Sequence, residues 1–131
     1  MTVLSVNLNK IALVRNSRDS GLPSVVKAAE TAIAHGARGI TVHPRPDKRH
    51  IRPSDVHDLH YLLRERHPDI EYNLEGNPFE PSFMELLRKL RPHQGTLVPD
   101  TRDQLTSDHG WDLAKDGARL TPILAELRGL G

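Results

Sequence analysis

Two residues able to transfer protons follow short apolar segments of the sequence. His43 ends the segment GITVH, and Glu75 follows the segment IEYNL. A histidine transfers protons near neutral pH, and a carboxylate can do so when burial raises its pKa. Each also has a simpler explanation, because a histidine there can be a packed, hydrogen-bonded residue and a glutamate can be exposed or ion-paired. The two residues predict an acid–base pair only if the fold brings them together.

The segment that follows His43 is rich in positive charge. Residues 44–53, PRPDKRHIRP, contain four Lys or Arg residues and one histidine within ten positions. Arginine and lysine offer charge and hydrogen bonds to phosphate or carboxylate groups. The segment therefore predicts an anion-binding loop, with a solvated charged loop as the alternative. His57 and His60 lie three apart in a helical pattern, but no third ligand is obvious, so we predict a solvated helix face and no metal site there.

Four short segments rich in β-branched and aliphatic residues predict the strands that position these side chains. They are residues 3–8, 39–43, 70–74 and 96–98. Helical patterns alternate with them, and three of these open at a Pro-Ser pair, at Pro23, Pro53 and Pro81. This alternation predicts an α/β fold in which right-handed helical crossovers join parallel strands.

The spacing of the predicted strands indicates which kind of α/β fold they belong to. The strands recur about every 31 residues, and eight such units give the roughly 250 residues of a (β/α)8 TIM barrel. The 131-residue chain has about four units and therefore predicts a half-barrel, with a small open α/β sheet as the alternative. Barrel active sites form at the carboxyl ends of strands. That rule selects polar residues after each predicted strand: Asn7, Asn9, Lys10, Arg15, Asn16 and Arg18; His43, Arg45, Lys48, Arg49, His50 and Arg52; Asn73 and Glu75; Asp100, Arg102 and Thr106.

Composition excludes several classes of protein. Lys plus Arg number 18 against 17 Asp plus Glu, which argues against a nucleic-acid partner. Cysteine is absent, so disulfides, thiol nucleophiles and cysteine-based zinc sites are excluded. No apolar run approaches the roughly 18 residues of a membrane span, and the start MTVLSVNLNK does not resemble a secretory signal. We therefore expect no membrane partner and a cytoplasmic location.

Four segments in register resemble the N-terminal half of the pyridoxine 5′-phosphate synthase family, which closes the ring of vitamin B6. They are VNLNKIALVRNSR at 6–18, GARGITVHPRPDKRHI at 36–51, YNLEGN at 72–77 and LVPDTRDQLTSDHGWD at 97–112. The resemblance implies that residues 1–131 are the N-terminal half of one TIM-barrel domain. It also implies a transferase that condenses 1-deoxy-D-xylulose 5-phosphate with 3-amino-2-oxopropyl phosphate, releases phosphate and water, uses no cofactor or metal, and forms a homo-oligomer.

The resemblance also implies roles for individual residues. His43 and Glu75 match the family's acid–base residues. The residues that match substrate ligands are Arg45, His50 and Thr106 for the sugar phosphate, with Asn9 and Lys10 where many members carry Asp-His, and Asn7 and Arg18 for the amino ketone. Asp19 departs from the family, because a glycine usually follows the matching arginine.

The family's later strands supply a further glutamate, a proton-donating histidine and glycine-rich phosphate-binding loops, none of which is in this chain. We therefore expect the 131 residues alone to be inactive. We also expect unpaired strand edges and an uncovered apolar strand face to cause self-association, insolubility or partial disorder. The alternatives are a fragment of a longer product, a half that pairs with another half, and a degenerate relic. The alternative functions are a non-catalytic homologue that binds a sugar phosphate and a different barrel enzyme that acts on phosphorylated substrates.

Overall fold

The computed structural model describes residues 2–131 as one parallel sheet with helices packed against it. The elements in chain order are β1 (Ser5–Asn7), α1 (Asn9–Asn16), α2 (Val25–Ala34), β2 (Gly39–Val42), α3 (Pro53–Arg66), β3 (Glu71–Gly76), α4 (Pro81–Leu90), β4 (Gln94–Leu97) and α5 (Leu113–Leu130). The strands are parallel and lie in the order β1-β2-β3-β4. This is the arrangement of half a TIM barrel and confirms the predicted α/β fold.

The starts of the helices follow the predicted chemistry. The Ser24 hydroxyl accepts a hydrogen bond from the Lys27 amide at the start of α2, and Asp112 caps α5 in the same way. Pro53 and Pro81 are the first residues of α3 and α4, where a missing amide proton costs nothing.

Helix α1 was not predicted, because its segment was interpreted as a loop after the first strand. Its residues NKIALVRN have an unbroken apolar run rather than a clear helical stripe, and its two buried residues are Ala12 and Arg15. Its N-cap residue, Leu8, has no side chain that can make a capping hydrogen bond. The strand limits also differ from the prediction, since β3 extends to Gly76 and β4 begins at Gln94.

The main core lies between the outer face of the sheet and the helices. Ile40 and Val42 from β2 and Tyr72 and Leu74 from β3 are almost fully buried there. Burying each such side chain contributes about 1.5–3 kcal/mol. The Tyr72 hydroxyl donates to the Val56 carbonyl on α3 at 3.0 Å, so its polar atom is satisfied.

The inner face of the sheet is polar, so this face is not the uncovered apolar strand face that we expected. Ser5 and Thr41 are hydrogen-bonded through their hydroxyls at 2.9 Å, Asn73 donates to Thr41 at 3.3 Å, and Thr96 donates to Asn73 at 3.0 Å. This chain of bonds crosses all four strands. Strand side chains alternate between faces, which places apolar residues toward the helices and these polar ones inside.

Candidate functional site at the carboxyl ends of the strands

His43 and Glu75 come from neighbouring strands at the same level. Val42 of β2 is in register with Leu74 of β3, and each candidate residue follows its member of that pair. Since Val42 and Leu74 belong to the buried outer face, alternation directs the residues after them to the inner face. Both candidates therefore lie at one rim of the sheet, where a barrel fold builds its sites.

Residues from β1 and the turn after it complete this rim. The Asn7 side-chain amide donates to Glu75 Oε2 at 3.2 Å, although β2 lies between their strands. The Asn9 side-chain oxygen accepts from the His43 backbone amide at 2.9 Å. Asn7 also accepts from the Asn9 amide at 2.8 Å, so the two asparagines are linked to each other and to both acid–base candidates.

Burial controls the protonation of His43, which is only 5% exposed. Burial is the main cause that lowers its pKa to about 4, and the nearby Arg45 and His50 lower it further while Asp100 and Asp47 oppose the shift. The ring is therefore neutral at physiological pH. A neutral imidazole can accept a proton from a reacting group.

The carboxyl group of Glu75 is shifted in the opposite direction. Burial raises its pKa and the negative charge of Asp100 adds to this, whereas the hydrogen bond from Asn7 lowers it. Glu75 therefore holds a proton at higher pH than an ordinary glutamate. A neutral imidazole and a carboxyl whose pKa is raised make a suitable pair for moving protons in both directions.

Arg45, a predicted phosphate ligand, is buried and bound to the segment after β4. Its Nη1 donates to Asp100 Oδ2 at 2.8 Å, and its Nη2 donates to the carbonyls of Thr101 and Gln104 at 2.8 and 2.7 Å. Asp100 also accepts a hydrogen bond from the Ser107 hydroxyl. Arg45 Nε and Asp100 Oδ1 are buried without a hydrogen-bond partner in residues 2–131. A cavity of about 20 Å³ lined by both residues has room for one water molecule.

The rest of the basic loop at residues 44–53 is also held by its own chain. Arg49 donates to the Leu105 carbonyl at 2.8 Å and forms an ion pair with Asp47 at 2.6 Å. The ring of His50 lies 6.1 Å from that of His43, and its Nδ1 accepts from the Ile51 amide. Burial and the charge of Arg45 lower the pKa of His50. The loop is thus built against the segment after β4, and it brings His50 beside His43.

Side chains of helix α1 hold the basic loop at residues 44–53 through hydrogen bonds to its backbone. Arg15 forms a buried bidentate ion pair with Asp55 on α3, and its Nη2 donates to the His50 carbonyl at 3.2 Å. Asn16 donates to the same carbonyl at 2.8 Å. Arg15 and Asn16 were predicted only as polar residues after the first strand, without a role, and Asp55 was not predicted as part of the site. Asp100 was likewise selected by the strand-end rule, without a partner.

Three predicted substrate ligands lie on the surface. Arg18 is exposed, and its side chain makes no ion pair or hydrogen bond with any residue in the described part of the chain. Lys10 is exposed but close enough for its charge to lower the pKa of His50. Thr106 is exposed in the segment after β4, where its carbonyl accepts from the Gln104 side chain at 2.9 Å.

Metal-binding clusters and membrane-spanning helices are both absent from residues 2–131. No group of three or more His, Asp or Glu side chains there has an arrangement that could hold a metal ion. No helix in this part of the chain combines the length and the apolar character needed to cross a membrane.

Comparison with known proteins agrees with the resemblance. The family described as "Pyridoxal phosphate biosynthesis protein PdxJ" matches residues 4–131. Proteins named pyridoxine 5′-phosphate synthase are similar to the chain. The one from Xanthomonas campestris pv. campestris strain B100 is 57% identical, and the match covers 99% of this chain and 52% of the relative. The one from Albidiferax ferrireducens is 53% identical over 99% of this chain and 53% of the relative.

The relative from Xylella fastidiosa strain 9a5c is 54% identical over 99% of this chain and 52% of its own length. The chain therefore spans about half the length of the curated relatives it matches. Since the family match extends over nearly all of the 131 residues, the chain belongs to the PdxJ family of pyridoxal phosphate biosynthesis proteins.

Proposed function

We propose that these residues form the proton-transfer and sugar-phosphate half of the active site of a pyridoxine 5′-phosphate synthase. The enzyme condenses 1-deoxy-D-xylulose 5-phosphate with 3-amino-2-oxopropyl phosphate and releases pyridoxine 5′-phosphate, phosphate and water. The observation that carries this proposal is the shared rim of His43 and Glu75, whose pKa values move in opposite directions. The name of the relatives, pyridoxine 5′-phosphate synthase, supports the same reaction.

In this proposal the two side chains divide the proton transfers. The substrate amine attacks the ketone of the sugar phosphate, and loss of water gives an imine without a protein lysine. Neutral His43 then accepts a proton from carbon, and protonated Glu75 delivers a proton to a departing hydroxyl. The negative charge of a bound phosphate raises the pKa of His43 and makes it a stronger base.

The ligand roles are part of the proposal. The sugar phosphate is bound by His50, Thr106 and Arg45 with Asn9 and Lys10, and the amino ketone is bound by Asn7 and Arg18. Asn7 is hydrogen-bonded to Glu75, and Asn9 is hydrogen-bonded to the His43 backbone amide. These contacts support the proposal that both substrates bind at this rim. The basic groups beside the rim supply the positive charge that two phosphorylated substrates need.

We also propose that residues 1–131 are the N-terminal half of a single TIM-barrel domain. The relatives are about twice as long, and the polar chain of bonds on the inner face reaches both outer strands, β1 and β4. A second half would pair with these strands and enclose the polar face. In this proposal the 131 residues alone do not complete the catalytic site.

A hybrid enzyme tests the proposal. In this hybrid synthase, the 131 residues replace the matched half of the Xanthomonas campestris relative. We expect it to form pyridoxine 5′-phosphate from the two substrates, whereas the 131-residue chain alone forms none. Product formation by the chain alone would contradict the proposal that the catalytic site needs the second half of the barrel.

Calorimetry with 1-deoxy-D-xylulose 5-phosphate separates this proposal from a binding function. A folded hybrid synthase that binds the sugar phosphate but forms no product would favour a non-catalytic sugar-phosphate-binding protein. A hybrid that neither binds nor reacts would contradict both functions.

A further inference from the structure

We propose that Asp100 is a positioning residue that keeps the proton of the neutral His43 ring on Nδ1 and leaves Nε2 as the proton acceptor. This inference rests on the proposed function and assigns a role to a residue outside the acid–base pair. Asp100 follows β4, two strands away from His43 along the sheet.

The geometry between the two residues favours one tautomer. Asp100 Oδ2 lies 3.9 Å from His43 Nδ1, and the two side chains are 3% and 7% exposed. This distance is too long for a hydrogen bond, so the interaction is electrostatic. A carboxylate oxygen facing a ring nitrogen attracts an N–H group and repels a lone pair, and water is too scarce here to screen it. The proton is therefore more stable on Nδ1 than on Nε2.

The position of the Asp100 carboxylate is fixed by its other partners. Arg45 binds Oδ2 at 2.8 Å and supplies a buried counter-charge, and Ser107 donates to the same oxygen. Arg45 is itself held by the carbonyls of Thr101 and Gln104. A buried carboxylate with a paired guanidinium can remain in place without solvent, which an unpaired one cannot.

The other charged or titratable groups that act on His43 come from the loop after β2. They are Arg45, His50 and Asp47. Arg45 and His50 disfavour a positive charge on the ring, and Asp47 favours it less strongly than Asp100 does. Among residues 2–131, Asp100 is the only acidic residue within salt-bridge distance of the His43 ring. Its removal is therefore the change that acts on the tautomer most directly.

Nuclear magnetic resonance of the 131-residue chain labelled with ¹⁵N-histidine tests the inference without reference to activity. The His43 signals are assigned by their loss in His43→Gln. We expect the wild-type ring to carry its proton on Nδ1, and we expect Asp100→Asn to shift the population toward the Nε2–H form. Asp103→Asn is the matched control, because Asp103 is exposed in the same segment, and it should leave the tautomer unchanged.

Activity gives a second readout in the hybrid synthase. Asp100→Asn should lower kcat by about 10- to 100-fold, as loss of a residue that orients a catalytic group does. The asparagine oxygen can still accept from Arg45, so the KM for the sugar phosphate should change less than kcat. Asp103→Asn should leave both constants near the wild-type values.

Two results would overturn the inference. One is a wild-type His43 ring protonated on Nε2. This measurement needs no variant, so it is valid even if Asp100→Asn does not fold. The other is a tautomer that is the same in wild type and Asp100→Asn. An inactive hybrid with the wild-type sequence would instead contradict the proposed function, and the tautomer measurement would still decide the role of Asp100.

Discussion

The side chain of Asn7 on β1 donates a hydrogen bond to Glu75 on β3 at 3.2 Å, across the intervening strand β2. Side chains on a flat sheet would be too far apart for this, because strands two apart are separated by roughly 9–10 Å. The sheet is therefore concave on its inner face, as a barrel wall is. This curvature brings residues of separate strands to one rim.

The raised pKa of Glu75 predicts a gain of stability when its charge is removed. A carboxyl whose pKa is raised by folding favours the folded state at low pH, and this contribution is lost as the pH rises through the folded pKa. We expect Glu75→Gln to raise the free energy of unfolding at about pH 8 relative to wild type and to differ less at about pH 4. Chemical denaturation at both pH values measures this.

Glu71→Gln is the control for this prediction, because Glu71 lies on the same strand and is exposed. It should change stability little at either pH. A Glu75→Gln variant that is less stable than wild type at the higher pH would contradict the assigned effect of burial.

The lowered pKa of His43 predicts a loss of stability in acid. A histidine whose pKa falls from 6.5 to about 4 on folding contributes stability above pH 6.5, and this is lost as the pH falls toward 4. At about 1.4 kcal/mol per unit of pKa, the loss is on the order of 3 kcal/mol. We expect His43→Asn to lose less stability than wild type over this pH range, measured by denaturation at several pH values.

His50 and His60 also have pKa values lowered by burial, so the wild-type acid response is a sum over several histidines. The comparison of wild type with His43→Asn isolates one contribution. Equal acid sensitivity in the two proteins would show that folding does not lower the pKa of His43.

The buried ion pair between Arg15 and Asp55 predicts a large stability effect for a residue outside the acid–base pair. Both side chains are 9% exposed, and Arg15 also donates to the His50 carbonyl. Removing one partner leaves a buried charge, so Arg15→Ala should cost about 3–5 kcal/mol. Arg66→Ala breaks an exposed ion pair with Glu30 and should cost less than about 1 kcal/mol.

Urea denaturation of both variants checks this contrast. In the hybrid synthase, the milder Arg15→Lys should also raise the KM for the sugar phosphate, because the loop that contains His50 loses an anchor. Similar costs for Arg15→Ala and Arg66→Ala would mean that burial of the first pair has no energetic consequence.

Local sequence patterns were sufficient for the order of the elements other than α1 and for the rim residues of β2 and β3. Alternating strands and Pro-Ser helix starts require only neighbouring residues. Helix α1 escaped prediction because its buried face includes Arg15, whose partner Asp55 is 40 residues away. A polar residue on a buried face does not follow the apolar period on which helix prediction depends.

The hydrogen bonds of the site also join residues that are far apart in the sequence. Arg45 was predicted from the resemblance as a ligand of the sugar phosphate, and no sequence pattern indicated that its guanidinium binds Asp100, which lies 55 residues further along the chain. The polar inner face was visible in the alternation of Ser5 and Asn7 with apolar neighbours, but its significance depends on knowing which face the helices cover.

The rate of pyridoxine 5′-phosphate formation by the hybrid synthase, with and without the His43 imidazole, tests the proposed site most directly. We expect His43→Asn to lower kcat by about 10²- to 10⁴-fold, the range for loss of a general acid–base group. The sugar phosphate should still bind, as calorimetry would detect. A kcat within about threefold of the wild-type hybrid would contradict the proton-transfer role of His43 and with it the proposed site.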